Sequence, residues 1–263
     1  ENIVSALESA TATAIADRPR TAEHSSSVID QFPSLEVAPT PESRLVSLTD
    51  QDSPAAEAFR LLDLRLREIR RERPLKKVLI TSTIPQEGKS MVAANLACTL
   101  AQANAQGVLL LEGDVRRPSL SKLFGIGSNP GLCEFLQGDH DLTTTVYHLK
   151  GSGIWFMPGG VGPDNLSDAM QADRLAAMLD QFAAWFDWII VDSPPVLPLA
   201  DTFVWTSLAD GILLITSQGT TSKRLLKRGL EAIEPHKIIG AVLNGSNEMP
   251  HSDYYYSRKN GPL

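Results

Sequence analysis

Val78-Leu79-Ile80-Thr81-Ser82-Thr83-Ile84-Pro85-Gln86-Glu87-Gly88-Lys89-Ser90 is the stretch that decides the fold. A short apolar run ends in a small-residue loop closed by Gly88-Lys89-Ser90, and a helix-forming segment, Met91 to Ala103, follows at once. Strand, loop and helix in that order are the context a phosphate-binding loop needs. Backbone N–H groups of the loop and of the helix N-terminus then point at anionic oxygens. Lys89 is expected to reach the outer phosphates, and the Ser90 hydroxyl to ligate a magnesium ion. Thr83 stands where the general motif has its first glycine, so the match is to the second half of the motif. The plain alternative is an ordinary turn before a helix, against which the flanking strand and helix weigh.

Outward from this loop the chain alternates. Val78–Thr81, Val108–Glu112, Ile154–Met157, Trp188–Asp192, Ile212–Thr216 and Ile238–Leu243 read as short buried strands rich in Val, Ile and Leu. Helical stretches are expected at about 89–105, 171–186, 200–208 and 221–234. This pattern predicts an α/β fold with a mainly parallel sheet sandwiched by helices. In such sheets ligands bind beyond the carboxyl ends of the strands.

Two further strand ends carry acids. Val108 to Pro118 reads Val-Leu-Leu-Leu-Glu-Gly-Asp-Val-Arg-Arg-Pro, placing Glu112 and Asp114, then Arg116 and Arg117, just past a buried run. Trp188 to Pro195 places Asp192 past another. Four apolar residues ending in Asp resemble the strand whose acid helps hold the magnesium shell of a nucleotide. Acids there are costly to bury unless they meet a cation, and a magnesium ion at a phosphate loop supplies one. The alternative for each acid is a helix cap or a salt-bridge partner.

The remaining sequence sets bounds. The chain has 263 residues, 43% of them hydrophobic, and a net charge of −7, which gives no general reason to expect nucleic acid as a partner. Cys98 and Cys133 suggest neither a disulfide framework nor a metal cluster and suit a reducing compartment. No apolar run approaches the roughly 18 residues of a membrane span, and no signal peptide is visible. The chain begins with Glu1 and not Met. A short helix is expected at residues 2–10. Residues 11–54, rich in Ala, Thr, Ser and Pro, read as linker or disorder. From Pro54 to Arg73 a helical pattern returns, with Ala58, Leu61, Leu62 and Leu66 as its expected buried stripe. Residues 65–77 hold seven basic side chains. They are either a solvated face or a docking surface for an acidic partner or anionic lipid. Three of the four tyrosines are consecutive, Tyr254-Tyr255-Tyr256, in a polar terminus where aromatics bury nothing. Such a tail either docks on a partner or offers its hydroxyls as chemical substrates.

Taken together these motifs resemble the bacterial tyrosine kinases of the capsule and exopolysaccharide type, in the P-loop group that also holds the ParA and MinD ATPases. The resemblance runs from about Ser53 to the C-terminus. It rests on Pro85-Gln-Glu-Gly-Lys-Ser90, on the acidic motif Glu112-Gly-Asp114-Val-Arg116-Arg117-Pro118, on Asp192-Ser-Pro-Pro195 and on the tyrosine cluster. It implies three regions: 1–52 as N-terminal helix and linker, 53–249 as a P-loop kinase domain, and 250–263 as a tyrosine-rich tail.

It also implies an ATP- and magnesium-dependent tyrosine autokinase regulating polysaccharide export or polymerisation. Lys89, Glu112, Asp114 and Asp192 would carry the chemistry. Pro85, Gln86, Glu87, Gly88, Lys89, Ser90, Met91, Arg116 and Asn244 would hold the nucleotide. Ser90, Asp114 and Asp192 would serve the metal, and Tyr254, Tyr255 and Tyr256 would accept phosphate. The implied partners are other copies of the chain in a ring, a membrane co-polymerase that activates it, and a tyrosine phosphatase. The implied location is the inner face of the cell membrane, reached through a membrane partner or a transmembrane part outside this chain.

Three departures stand out, one being that the tyrosine cluster, Tyr254 to Tyr256, is short. Glu112 replaces the first Asp of the family's acidic pair, so Glu112→Asp is expected to keep or raise activity. In the family's Glu-x-x-Arg-x-x-Arg ring motif, Glu57 and Arg60 match but Asp63 stands in place of the second Arg. A ParA/MinD-type ATPase switch is the competing reading, and a weakly active nucleotide-binding scaffold is a third.

Overall fold

The computed structural model describes residues 28–103, 107–162, 172–197 and 201–245. The helix expected at 2–10 and the tail from 250 onward lie outside them. Among the described residues eight strands form one sheet: β1 (Ser34–Glu36), β2 (Lys77–Ser82), β3 (Val108–Glu112), β4 (Tyr147–Lys150), β5 (Ile154–Met157), β6 (Trp188–Asp192), β7 (Gly211–Ser217) and β8 (Ile238–Asn244). Their spatial order is β1-β4-β5-β3-β6-β2-β7-β8, and only β4 and β5 pair antiparallel. The central strands read as continuous apolar runs because both of their faces are covered.

The α-helices among the described residues are α1 (Val46–Thr49), α2 (Pro54–Glu72), α3 (Lys89–Gln102), α4 (Leu120–Leu123), α5 (Leu132–Gln137), α6 (Leu142–Thr145), α7 (Ala172–Trp185), α8 (Asp201–Leu208) and α9 (Lys223–Glu231). Alternate strand residues feed two cores. Leu79, Leu109, Leu111, Ile189 and Val191 face Leu175, Met178, Leu179 and Phe182 of α7. Val78, Ile80, Leu110 and Ile190 face Val92, Leu96 and Leu100 of α3. Burying one such side chain is worth about 1.5–3 kcal/mol, so the strand register is fixed by which face each residue must join. Among the described residues no helix is long and apolar enough to cross a membrane.

Three expectations are corrected. Residues 28–52, read as linker, fold onto the domain. β1 pairs with β4, Leu45 is fully buried, and Phe32 stacks on Phe186 at 6.3 Å. The Ser47 hydroxyl bonds the Asn95 carbonyl at 3.1 Å and meets the Thr99 hydroxyl at 2.9 Å. Composition misleads here because the segment is held by long-range contacts and not by its own periodicity.

The second correction concerns α2. Ser53 caps it by accepting the Ala56 N–H, and Pro54 occupies the first turn. Its buried residues are Ala56, Asp63 and Leu66, with Phe59, Leu62 and Ile69 packed beside them, while Ala58 and Leu61 are exposed. The face is rotated because Asp63, only 5% exposed, is turned inward and bonds Arg67 Nε at 2.6 Å.

Third, the basic run is largely engaged in the fold. Arg65 pairs with Glu68 at 2.8 Å, and Arg70 lies 4.5 Å over the Trp188 ring. Arg73 donates to the His236 and Asp210 carbonyls, Lys76 to the Ala183 carbonyl, and Lys77 to Asp180 at 3.2 Å. The solvated-face reading holds for Arg65 and Arg71, which are exposed, while Arg70, Arg73, Lys76 and Lys77 brace the fold.

Candidate active site

β3, β6 and β2 are neighbours, with Glu112 level with Asp192 and Ile80 level with Asp192. Their carboxyl ends therefore deliver the acidic loop, the Asp192 turn and the glycine loop to one place. The Gly113 and Asp114 N–H groups both donate to the Asp192 carbonyl, at 2.7 and 3.0 Å, which pins the acidic loop over β6. Gln86 has φ +67 and Gly88 φ +89, so the loop between β2 and α3 is held in a conformation that β-carbon residues rarely adopt. A Cβ on Gly88 would lie 2.1 Å from the Asn244 amide nitrogen and would be strained at this positive φ, which favours glycine. No side chain caps α3, and its first N–H groups face the cavity as a ready anion site.

That cavity, about 640 Å³, is lined by Pro85, Gln86, Gly88, Lys89, Ser90, Met91, Asp114 and Arg116. These are residues the sequence singled out, and the fold brings them together. Lys89 Nζ lies 3.8 Å from Asp114 Oδ2, with both side chains nearly buried. Burial pushes the Asp114 carboxyl up, opposed by Lys89 and by the Arg117 N–H that donates to Oδ1 at 3.3 Å. Asp192 does not line the cavity, but it interacts with Lys89 and Ser90, which do. Burial pushes its carboxyl up to about 7, against the lowering pull of the Ser90 hydroxyl bond and of Lys89. Its Oδ1 is a buried acceptor with no hydrogen-bond partner. Such an orphan is costly in a folded chain, and it lies on a carboxylate that the Ser90 hydroxyl already bonds. A magnesium ion fits this donor set: a hydroxyl, one or two carboxylates, waters and phosphate oxygens. Among the described residues no group of three acids, histidines or cysteines forms an all-protein metal cage, and magnesium does not require one.

Three predicted residues are placed elsewhere. Glu112 does not line this cavity. Its Oε1 accepts the Ser119 and Leu120 N–H groups at 2.6 Å each, and its Oε2 accepts the Gly159 N–H at 2.9 Å. Three of the roughly four lone-pair sites of the carboxylate are taken by backbone donors, and it lies outside this cavity, so the geometry gives Glu112 a structural task in place of the chemical role that the resemblance implied. Glu87 is fully buried, with its carboxylate turned away from the cavity. Asn244 donates to the Glu87 carbonyl at 2.9 Å, and lines, with Met91, Phe59 and Leu62, an apolar groove of about 1190 Å³ between α2 and β8.

No protein-family model matches the sequence. Individual relatives do. YwqD of Bacillus subtilis, named a tyrosine-protein kinase, is 30% identical over 221 residues, which cover 83% of this chain and 93% of YwqD. The chain belongs to the bacterial tyrosine-protein kinases. EpsB of Ralstonia solanacearum, named a putative tyrosine-protein kinase, is 34% identical over 209 residues, which are 79% of this chain but 28% of EpsB. The kinase thus spans about a quarter of that longer relative. The solved kinase domain of Escherichia coli tyrosine kinase ETK superposes with a TM-score of 0.74 at 28% identity, covering 81% of this chain and 84% of that one. The kinase has the P-loop NTPase fold.

Sequence reasoning had not assigned the kinase's Arg117, Ser119, Leu123 and Pro195 to the cavity wall. Arg117 and Pro195 lie inside motifs it quoted, so adjacency was the available signal. Ser119 is the N-cap of α4 and Leu123 ends it, a single turn too short to show a period. Tyr147 is buried, and its hydroxyl donates to the Pro130 and Thr144 carbonyls at 3.2 Å. The tail tyrosines lie outside the described residues.

Proposed function

We propose that this kinase binds ATP with magnesium in the cavity between the glycine loop and the acidic loop, and phosphorylates Tyr254, Tyr255 and Tyr256 of its own tail. The observation that carries the reading is the convergence of Lys89, Ser90, Asp114 and Arg116 on one cavity, with the unpartnered Oδ1 on the Asp192 carboxylate that Ser90 bonds. Amides of the loop and of α3 hold the phosphates. The groove beside Met91 and Asn244 takes the adenine. Ser90, Asp114 and Asp192 would hold magnesium, directly or through water, and the ion would supply charge neutralisation on the phosphate oxygens. Lys89, with Arg116, stabilises charge on the transferring group, where most of the catalysis of phosphoryl transfer lies. Asp114 accepts the phenolic proton as the tyrosine Oη–P bond forms and the bond from the γ-phosphorus to the bridging oxygen breaks, releasing ADP.

The tail reaches a neighbouring copy. Glu57 and Arg60 sit exposed on α2, paired with each other at 2.6 Å, on a surface open to a ring contact. The resemblance to capsule and exopolysaccharide kinases supports a role in polysaccharide export or polymerisation at the inner face of the membrane. It likewise supports a membrane co-polymerase as activator and a tyrosine phosphatase as antagonist. Purified chain incubated with γ-labelled ATP, with and without magnesium, tests the chemistry. Label in phosphotyrosine only with magnesium is expected. Free phosphate release without label would return the ParA/MinD-type switch, and nucleotide binding without either would leave a scaffold.

A further inference from the structure

Glu87 sits inside the glycine loop, yet no part of it is exposed to the cavity. Its Oε2 accepts the Ile84 N–H at 3.0 Å, within the loop. Its Oε1 accepts the Ser217 N–H at 3.2 Å and the Thr221 hydroxyl. Its own carbonyl accepts the Asn244 amide at 2.9 Å. Ser217 ends β7, Asn244 ends β8, and Thr221 lies just before α9, whose N-cap is Ser222. One side chain and one carbonyl therefore tie the glycine loop to three other elements. The next residue, Gly88, carries the left-handed backbone that turns the loop into α3.

We propose that Glu87 is a positioning residue for nucleotide binding. Its carboxylate fixes the loop backbone from behind, so that the amides of Gly88, Lys89 and Ser90 are aimed before any phosphate arrives. The inference rests on the proposed nucleotide site and extends it to a residue that touches no ligand. The chemistry explains why an acid is used. All three partners of the side chain are donors, and a carboxylate is acceptor-only at both oxygens. A glutamine accepts at one atom alone, so in either orientation its NH2 meets a backbone N–H, that of Ile84 or that of Ser217. A buried N–H left unmatched is expensive, and the loop would relax to relieve it. The amides would then lose their aim while Lys89, Asp114 and Asp192 stay in place.

The test uses the full chain with Glu87→Gln, Thr221→Val and the double variant. ADP affinity is titrated in magnesium, phosphoryl transfer is measured at saturating ATP, and thermal midpoints are recorded. Glu87→Gln is expected to weaken ADP about tenfold, equivalent to about 1.4 kcal/mol, while the rate at saturation falls less than about threefold. Thr221→Val, which removes one of the three donors, is expected to weaken ADP about threefold. The double variant should bind no worse than Glu87→Gln, because both changes act through one contact. Affinity lost in Glu87→Gln with none lost in Thr221→Val would mean direct ligand contact and overturn the inference. So would unchanged affinity in both, or a loss confined to rate and thermal midpoint. If Glu87→Gln does not fold, Thr221→Val alone decides. Lys89→Met run in parallel separates the two levels: unchanged ADP affinity there removes the nucleotide site itself, whatever Glu87 does.

Discussion

Asp192→Asn should stabilise the nucleotide-free kinase while disabling it. In the unfolded chain an aspartate titrates near 3.8, and in the fold burial raises Asp192 to about 7. Between those values the folded chain holds a proton that the unfolded chain releases. Stability is therefore fully present below about pH 4 and is lost as pH rises through about 7. Three pKa units at about 1.4 kcal/mol each give a loss on the order of 4 kcal/mol by pH 8. The side chain is 1% exposed, so solvent screening does not reduce this much. Asparagine is close in shape to the protonated acid and carries no charge to desolvate. The assay is urea unfolding in magnesium-free, nucleotide-free buffer at pH 5 and pH 8. Wild type should lose stability between the two, and the variant should change little from this site. The variant should therefore exceed wild type at pH 8 by a few kcal/mol and show a smaller advantage at pH 5. Added magnesium and ADP should stabilise wild type more than the variant. A variant less stable than wild type at pH 8 without ligand would refute the reasoning, since it would mean that Lys89 and Ser90 already compensate the charge.

Lys89→Met should reduce autophosphorylation by at least about a hundredfold, as expected for a cation on a transferring phosphoryl group, with circular dichroism unchanged; a residual rate above about a tenth of wild type would count against the loop. Glu112→Asp, which the family pattern suggested would preserve activity, should instead lower both activity and thermal midpoint. The shorter side chain cannot hold Ser119 and Leu120 on one side and Gly159 on the other, and each buried donor left open costs about 1–3 kcal/mol. A Glu112→Asp variant at or above wild-type activity would restore the chemical role that the resemblance implied for Glu112. Replacing Tyr254, Tyr255 and Tyr256 with Phe should remove most incorporated phosphate without changing ADP affinity, whereas Tyr147→Phe, at a packed and hydrogen-bonded ring, should leave incorporation intact.

What the sequence could show depended on whether a signal was local. Val108–Glu112, Ile154–Met157 and Trp188–Asp192 are runs buried on both faces, and their bounds were readable to the residue. Ser34–Glu36 and Tyr147–Lys150 were not. They are short strands toward one side of the sheet with mixed polar residues, and they are defined by pairing across it, β1 with β4 and β4 with β5. The cavity was legible because strand ends in a parallel sheet converge and because Gly88-Lys89-Ser90 and Asp192 mark two of them. The direction of a side chain was not legible. Glu87 and Glu112 stand in motifs that name them as ligand-facing, yet one bonds Ser217 and Thr221, and the other bonds Gly159, a residue 47 positions away. A pattern of residues places a carboxylate at a strand end. Only packing decides whether it meets the cavity or a backbone amide.

The central claim is that the chain transfers phosphate from ATP to tyrosines in its own tail, from one copy to another. Wild-type chain mixed with a Lys89→Met chain of distinguishable length, supplied with magnesium and ATP, puts this to the test when phosphate is located by peptide mass spectrometry. Phosphate on Tyr254, Tyr255 or Tyr256 of the Lys89→Met chain, absent when that chain is incubated alone, is the predicted result. Phosphate confined to the wild-type copy would contradict transfer between copies, and no phosphotyrosine on either chain would contradict the kinase reading of this site.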